Sequence, residues 1–309
     1  MKRKARNVLG WLLAVGLILL GRIRKARRES FRGGAILSVY FHNPGKKLFR
    51  QIINWLRKNG YTFISCDQLI DILNKKIPCP RGAVWLSFDD GWRRNLENVI
   101  PLVREYNIPI TVFIYTSAIE MGVFWWRKAR RLAGDLPAEY RDIEVVMGMP
   151  EDTRQQVLGL LERMETPVSL RQEVMTVEDI KSIAAMPQVT LASHTVTHPV
   201  FRNCTEAQID YELGESKKKL EEWTGKPVRS FAYPRGSFTG GEKPLLQKHG
   251  YELAVTIENR LAGPTDDNYR FPRTDVMNDG SFAENLCHAL GIWEPVISKC
   301  RRLINLGRK

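Results

Sequence analysis

The sequence predicts a protein of the α/β class, built on a parallel sheet with helices on both faces. Short continuous apolar runs, such as 35–41, 83–86 and 110–115, recur along the chain and are typical of strands that are buried on both faces. Amphipathic helical stripes separate these runs over about 200 residues, which indicates a barrel or a doubly wound sheet. In either fold, catalytic groups belong at the carboxyl ends of the strands.

Predicted strands and helices alternate in a regular order from residue 35 onward. The first strand, 35–41, is followed by His42-Asn43-Pro44-Gly45, where proline and glycine stop it, and then by a helix up to Asn59. Further strands are predicted at 61–64, 83–86, 110–115, 189–192, 228–232, 252–257 and 271–275, and further helices at 67–73, 96–103, 205–223, 242–249 and 281–305.

Residues 118–173 break this alternation and are predicted to form a helical insertion. Insertions at the catalytic edge of an α/β fold commonly line the substrate site. The insertion contains Phe124-Trp125-Trp126-Arg127, and two interpretations of its tryptophans remain open. Trp125 and Trp126 either pack between helices or form a platform on which a sugar ring stacks.

The N-terminal segment 1–32 differs in composition from the single catalytic domain predicted over 33–309. It holds ten basic residues and one acid, whereas the whole chain has a net charge of +13. Only about +4 is therefore left for the remaining 277 residues. This near balance argues against a nucleic-acid partner for the domain.

The apolar run from Val8 to Gly21 is 14 residues long, shorter than the roughly 20 residues that span a bilayer. Three interpretations remain: a short signal anchor, an interfacial helix held against anionic headgroups, or a helix docked on the protein's own domain. We expect association with the inner membrane. Basic residues flank the run on both sides and do not fix its orientation, but five cysteines without a C-x-x-C pair favour a reducing compartment and hence the cytoplasmic face.

Two polar stretches follow predicted strands and form the candidate site. Ser87-Phe88-Asp89-Asp90-Gly91 comes after one strand, and His194-Thr195-Val196-Thr197-His198-Pro199 comes after another. Buried carboxylates are costly unless they are paired or bind a metal. The i, i+4 histidine spacing, on one helical turn, suits two ligands of one ion. The two stretches therefore predict a metal centre with open positions, as in a catalytic site.

The adjacent aspartates are expected to differ in role, because neighbouring residues of an extended or tightly turned segment point in different directions. One carboxylate would bind the metal, and the other would accept a proton from a coordinated water molecule whose pKa the metal lowers toward about 7. This chemistry suits the hydrolysis of an amide or an ester.

Three motifs, Ser-Phe-Asp-Asp-Gly, His-Thr-x-x-His-Pro and Phe-Ala-Tyr-Pro-x-Gly, resemble in this order the first three motifs of the polysaccharide deacetylases, carbohydrate esterase family 4. The resemblance covers roughly residues 35–290. Ala232 stands where many members have arginine, as in the members that act on exopolysaccharides. The resemblance implies a distorted (β/α) barrel with fewer than eight full strands and metal-dependent removal of N- or O-acetyl groups from sugars.

The resemblance also implies roles for individual residues. Asp89 would be the catalytic base, and a divalent metal would be bound by Asp90, His194 and His198. Zinc is the expected metal, with cobalt, nickel or manganese as alternatives. The backbone N–H of Arg235 would donate to the oxyanion.

Other site residues are predicted with less support from the motifs. Tyr233 and Pro234, within the third motif, are predicted to contact the substrate. The late Leu-x-His motif of the family, which supplies the general acid, has no clean match in this sequence. His42, at the end of the first strand, is therefore predicted to act as the acid or to bind sugar. Arg273 or Asp275 is predicted to orient Asp89.

The expected protein is a membrane-associated, metal-dependent hydrolase that removes an N-acetyl group from an amino-sugar polysaccharide or a lipid-linked glycan. Removal of a formyl or an O-acetyl group is an open alternative, and so is a catalytically impaired barrel that only binds glycan. Phosphoryl transfer on Mg²⁺ is disfavoured by the paired histidines, because Mg²⁺ prefers oxygen ligands.

Overall fold

The computed structural model describes residues 2–32, 34–171, 173–278 and 280–298, without the side chains of residues 2–5 and 171. Within this part of the chain the strands are β1 (Ile36–Phe41), β2 (Thr62–Phe63), β3 (Ala83–Phe88), β4 (Ile110–Ile114), β5 (Val189–Ser193), β6 (Ser230–Ala232), β7 (Leu253–Val255) and β8 (Thr274–Asp275).

The α-helices in the described ranges are α1 (Lys2–Leu19), α2 (Arg22–Arg32), α3 (Lys46–Lys58), α4 (Cys66–Leu73), α5 (Asn95–Asn98), α6 (Ile100–Tyr106), α7 (Thr116–Met121), α8 (Trp125–Arg131), α9 (Ile143–Gly148), α10 (Glu151–Arg163), α11 (Val168–Arg171), α12 (Val177–Ala184), α13 (Glu206–Thr224), α14 (Lys243–Lys248) and α15 (Phe282–Ala289). Of the terminal helix predicted over 281–305, residues 299–305 lie outside the described residues. The predicted insertion is helical and includes α8 to α11.

The strands form one curled parallel sheet in the order β7-β6-β5-β4-β3-β1-β8, with β2 paired to the start of β3. The two edges of this sheet approach each other through the segment 271–275. Phe271 pairs with Val255 of β7, and Thr274 pairs with Val39 of β1. The predicted distorted (β/α) barrel is thereby confirmed.

Burial of the strands explains their continuous apolar sequence. All six residues of β1 and all six of β3 are buried. Trp85 packs inside the curl, with its ring edge-on to Phe113 and Phe271 at 6.1 and 6.4 Å, and its indole N–H donates to Thr111 at 3.1 Å. Burial of one such large apolar side chain contributes about 1.5–3 kcal/mol. A second core lies between the sheet and the helices, as expected for a sheet covered on both faces.

The N-terminal segment contains two helices, where the sequence predicted one hydrophobic helix. Gly21, with φ +71° in the left-handed region, breaks the chain between α1 and α2. None of the described helices is alone long and apolar enough to cross a membrane. Arg6–Leu19 and Arg22–Arg32 reach that length and composition only together, and they are bent by 65°.

Candidate active site

A sharp turn after β3 presents the two aspartates at the carboxyl edge of the sheet. The backbone N–H of Asp89 still bonds to Phe41 of β1 at 2.9 Å, and the chain then turns through Asp90 (φ 76°) and Gly91 (φ 87°). Aspartate is one of the few side chains that tolerate this left-handed conformation. Both carboxylates are buried at 3% and 5% exposure, so each requires a partner.

The two histidines meet through a strained loop after β5. They do not lie on a helical turn, as the i, i+4 spacing had indicated, because Thr195 and His198 adopt φ 73° and 57°. Positive φ is costly for a β-branched residue such as threonine and requires support from its surroundings. Locally, the Thr195 hydroxyl accepts a hydrogen bond from the backbone N–H of His198 at 2.9 Å.

Asp90, His194 and His198 offer three donor atoms that lie within 4.8 Å of one another. Oδ1 of Asp90 is 3.6 Å from Nε2 of His194 and 3.7 Å from Nε2 of His198. Two atoms that each bind one zinc ion at about 2.1 Å can lie no more than about 4.2 Å apart, and both separations satisfy this limit. The set of one carboxylate and two imidazoles fits a divalent metal with open coordination positions.

Outer contacts orient these donors toward a common point. Nδ1 of His194 lies 2.8 Å from the carbonyl of Ala232, which leaves Nε2 free for the cluster, and the indole N–H of Trp92 donates to Oδ2 of Asp90 at 3.0 Å. Burial, reinforced by the neighbouring His194, lowers the pKa of His198 well below its usual value. The imidazole of His198 is therefore neutral near pH 7, as a metal ligand requires.

Asp89 is held by a buried arginine that directly precedes β8, two strands away from β3 across β1. Arg273, which is 0% exposed, donates to both carboxylate oxygens of Asp89 at 2.7 and 2.8 Å and to the Ser87 hydroxyl at 3.1 Å. Burial would raise the pKa of Asp89, but the charge and hydrogen bonds of Arg273 outweigh it and hold that pKa below its usual value. Asp89 is thus an ionised carboxylate in fixed orientation beside the metal donors.

Arg273, rather than Asp275, is the residue in contact with Asp89. Burial raises the pKa of the Asp275 carboxyl. A charge on His42 lowers this pKa, and the charge of Asp89 raises it. His42 follows β1, and its ring lies edge-on to Tyr40 at 5.6 Å. The parallel register of Phe41 with Phe88 places His42 at the same edge of the sheet as Asp89, and a charge on His42 lowers the pKa of Asp89 as well as that of Asp275.

The third motif forms a tight turn after β6. Arg235 and Gly236 have φ 55° and 64°, and a side chain at Gly236 would collide with Ile257. The guanidinium of Arg235 points to the insertion, where it bonds to Glu144 at 3.0 Å. The role of the Arg235 backbone N–H as oxyanion donor stays a prediction.

Three predicted substrate contacts lie in the core instead. Tyr233 is buried, and its hydroxyl donates to the carbonyl of Tyr269 at 3.0 Å. Trp125 is 2% exposed and covered by the guanidinium of Arg154 at 5.3 Å. Pro234 is buried as well. The side chains of these three residues are covered by neighbouring protein atoms. They therefore support the site without exposing a surface to the substrate.

Trp126 differs from its neighbour and lies at the donor cluster. Its ring centre is 4.8 Å from that of His198, and it stacks on Phe124 at 5.0 Å and on Tyr115 at 5.5 Å. The side chain is only partly buried. Of the two tryptophans, Trp126 therefore has the position of a sugar-contacting residue.

A buried ionic network behind the histidine loop was missed in the sequence. Glu212 of α13 accepts the backbone N–H groups of Val196 and Thr197 at 2.6 and 3.0 Å. Arg154 of the insertion donates to the Thr197 carbonyl at 3.0 Å and pairs with Glu151 at 2.6 Å. The network supports the strained loop, so the insertion contributes to the position of His198.

A local signal for this network exists in the helices themselves. Glu212 lies on the buried stripe of α13 beside Ile209 and Leu213, and Arg154 lies on the buried stripe of α10 beside Val157. A charged residue within an apolar helical stripe predicts a buried partner. The sequence does not indicate which partner it is.

Replacement of Glu212 by alanine is expected to weaken metal binding by about 10- to 100-fold, because an outer contact that orients a ligand loop is lost. It also leaves two backbone N–H groups without their acceptor. Titration with Co²⁺, followed by its absorption spectrum, measures the affinity. Glu222→Ala on an exposed position of the same helix is the matched control. Unchanged affinity in the Glu212 variant would show that the loop holds its shape alone.

The fold and the site together define a class of protein. A curled parallel barrel that presents two imidazoles, one carboxylate donor and a second, ionised carboxylate has the arrangement of a metal-dependent hydrolase. A sequence model of the polysaccharide deacetylase family matches residues 76–254, which is more than half of the chain. The chain belongs to this family, and it is a hydrolytic carbohydrate deacetylase.

Known relatives agree with this assignment. The chain is 22% identical over 250 residues to a poly-beta-1,6-N-acetyl-D-glucosamine N-deacetylase of Staphylococcus aureus, covering 78% of this chain and 73% of the relative. The Streptococcus pyogenes deacetylase PplD in complex with acetate superposes with a TM-score of 0.62 at 18% identity, over 83% of this chain and 98% of the other. IcaB from Ammonifex degensii gives a TM-score of 0.60 at 19% identity, over 84% and 98%.

Proposed function

We propose that this protein removes N-acetyl groups from a cell-surface polysaccharide of β-1,6-linked N-acetylglucosamine. The observation that carries the proposal is the ionised Asp89, fixed by Arg273, beside the three metal donors of a polysaccharide deacetylase barrel. The choice of sugar is supported by the activity for which the staphylococcal relative is named.

Asp90, His194 and His198 would hold the divalent metal, for which zinc is our first choice and cobalt, nickel or manganese the alternatives. When bound, the metal supplies a Lewis acid that polarises the amide carbonyl of the substrate. Asp89 accepts the proton of the attacking water molecule, because its carboxylate is ionised and fixed by two hydrogen bonds. The backbone N–H of Arg235 donates to the oxyanion that develops on the substrate.

His42 completes the cycle in this proposal by protonating the departing amine of the sugar. Support comes from its position at the end of β1 and from its electrostatic influence on both Asp89 and Asp275. Trp126 offers its partly exposed ring to the sugar face, while its other contacts pack against Phe124 and His198.

Acetate release from β-1,6-linked N-acetylglucosamine oligomers tests the proposal. We expect release by the full-length protein, its loss after treatment with a chelator, and its return on addition of Zn²⁺, Co²⁺, Ni²⁺ or Mn²⁺. Oligomers with β-1,4 linkage, N-formylated oligomers and O-acetylated sugars are compared under the same conditions. No release from any substrate with any metal would overturn the proposal in favour of a barrel that only binds glycan.

A further inference from the structure

Helix α1 uses one face to pack on the catalytic domain. Gly10, Ala14 and Leu17 form a buried stripe at helical spacing that faces α15. The Arg6 guanidinium pairs at 2.9 Å with Glu284, whose carboxylate is completely buried. A side chain at Gly10 would come within 2.6 Å of that carboxylate. The close packing and the buried ion pair make this face of α1 part of the domain.

The opposite face of α1 is apolar and exposed to solvent. Its large side chains include Leu9 at 66% exposure and Leu19 at 82%. The other members of this outer face are Val8, Trp11 and Leu12, and the exposed Leu20 directly after the helix continues it. Contiguous exposed apolar surface of this kind is rare in soluble proteins and marks a surface that binds a partner or a membrane.

Helix α2 places cations directly beside this outer face. A hollow of about 430 Å³ is lined by Leu20 and Gly21 together with Arg22, Arg24, Lys25 and Arg28. All four cations are exposed, and the nearby Glu29 lies 3.8 Å from Lys25. Apolar side chains, which suit a hydrocarbon layer, therefore lie next to cations, which suit phosphate groups, where α1 meets α2.

We propose that the outer face of α1 and the cations of α2 bind the surface of an anionic phospholipid bilayer, with α1 lying in the plane of the membrane. Charge complementarity selects this occupant, because lipid phosphates neutralise the four cations of the hollow. A second copy of the chain on the same face would bring like charges together. This inference goes beyond deacetylation and needs neither the metal nor the substrate.

The buried ion pair between Arg6 and Glu284 also favours an in-plane position of α1 over a membrane-spanning one. A spanning α1 would have to leave α15, and Glu284 would then lose the guanidinium that pairs with it. Arg6 also contacts Met277 at 2.8 Å, two residues after Asp275 at the carboxyl end of β8. The docked helix therefore starts close to the carboxyl edge of the sheet.

Sedimentation of the full-length protein with vesicles tests the inference. We expect binding to vesicles that contain phosphatidylglycerol, weak binding to pure phosphatidylcholine, and release by high salt or alkaline carbonate, because the helix does not cross the bilayer. Equal binding to both kinds of vesicle, or resistance to carbonate, would overturn the in-plane electrostatic arrangement.

Two variants assign the binding to this surface. Trp11→Ser combined with Leu12→Ser, and separately Arg24→Gln combined with Arg28→Gln, should each weaken vesicle binding by about tenfold or more. The matched controls are Val145→Ser with Tyr211→Ser and Lys47→Gln with Lys218→Gln, all at exposed positions elsewhere. These controls should bind like the unmodified protein. Circular dichroism shows whether each variant is folded, and wild-type affinity in both test variants contradicts the inference.

Discussion

Replacement of Asp89 by asparagine is expected to lower kcat/KM for deacetylation on the order of 10²- to 10⁴-fold. Asparagine keeps the shape of the side chain but cannot accept the proton of the attacking water molecule. The three metal donors are separate residues, so metal binding should remain. Acetate release and Co²⁺ titration on the same preparation measure both properties.

The matched variant Asp90→Asn removes a predicted metal ligand and should lose metal binding together with activity. Asp89→Asn also leaves Arg273 with a weaker partner, so the stability of each variant has to be measured by urea unfolding. Undiminished hydrolysis by a metal-loaded Asp89→Asn protein would remove Asp89 from the role of base. Loss of metal binding by the Asp89→Asn protein would mean that both aspartates are metal ligands.

Replacement of Arg273 by methionine is expected to lower the free energy of unfolding by about 3–5 kcal/mol, because it leaves the Asp89 carboxylate buried and unpaired. The pair is completely enclosed, with side-chain exposures of 0% and 4%. Activity should fall as well, since the lone carboxylate then favours its protonated form and loses its fixed orientation. Urea unfolding and acetate release measure the two effects.

A double-mutant cycle shows whether the loss comes from the pair itself. Arg273→Met combined with Asp89→Asn should be more stable than Arg273→Met alone, because no unpaired charge remains, but it should stay inactive. Arg270→Met is the matched control: its partly exposed ion pair with Glu258 at 2.6 Å should contribute about 1 kcal/mol or less. Strictly additive losses in the cycle would contradict the coupling of Asp89 and Arg273.

Much of the fold was predictable because its signals are local. The continuous apolar runs of β1 and β3 indicated strands that are buried on both faces, and the structure confirms the parallel sheet. The carboxyl ends of parallel strands lie at one edge, so the approach of Asp90 to His194 followed from topology and spacing. The geometry of that approach did not follow, since His198 is positioned by a strained loop rather than a helical turn.

The burial of individual side chains depended on which element packs where. Trp125 and Trp126 are neighbours in the sequence, yet one is covered by Arg154 and the other contacts His198. The hydrophobic pattern of the sequence does not show which of the two tryptophans is buried, because the orientation of α8 is set by its contacts with the rest of the barrel. The same holds for Tyr233, whose hydroxyl is taken by the carbonyl of Tyr269.

The sequence by itself determined the class of fold, the two polar stretches at strand ends and the composition of the N-terminal segment. These depend on patterns that extend over a few residues. Tertiary structure alone decided that Arg273, and not Asp275, is the partner of Asp89, 184 residues away, that Glu212 holds the histidine loop and that Arg6 of α1 pairs with Glu284. The physical reason is that a buried charge must find a partner wherever closure of the barrel brings one, and that position is a property of the whole chain.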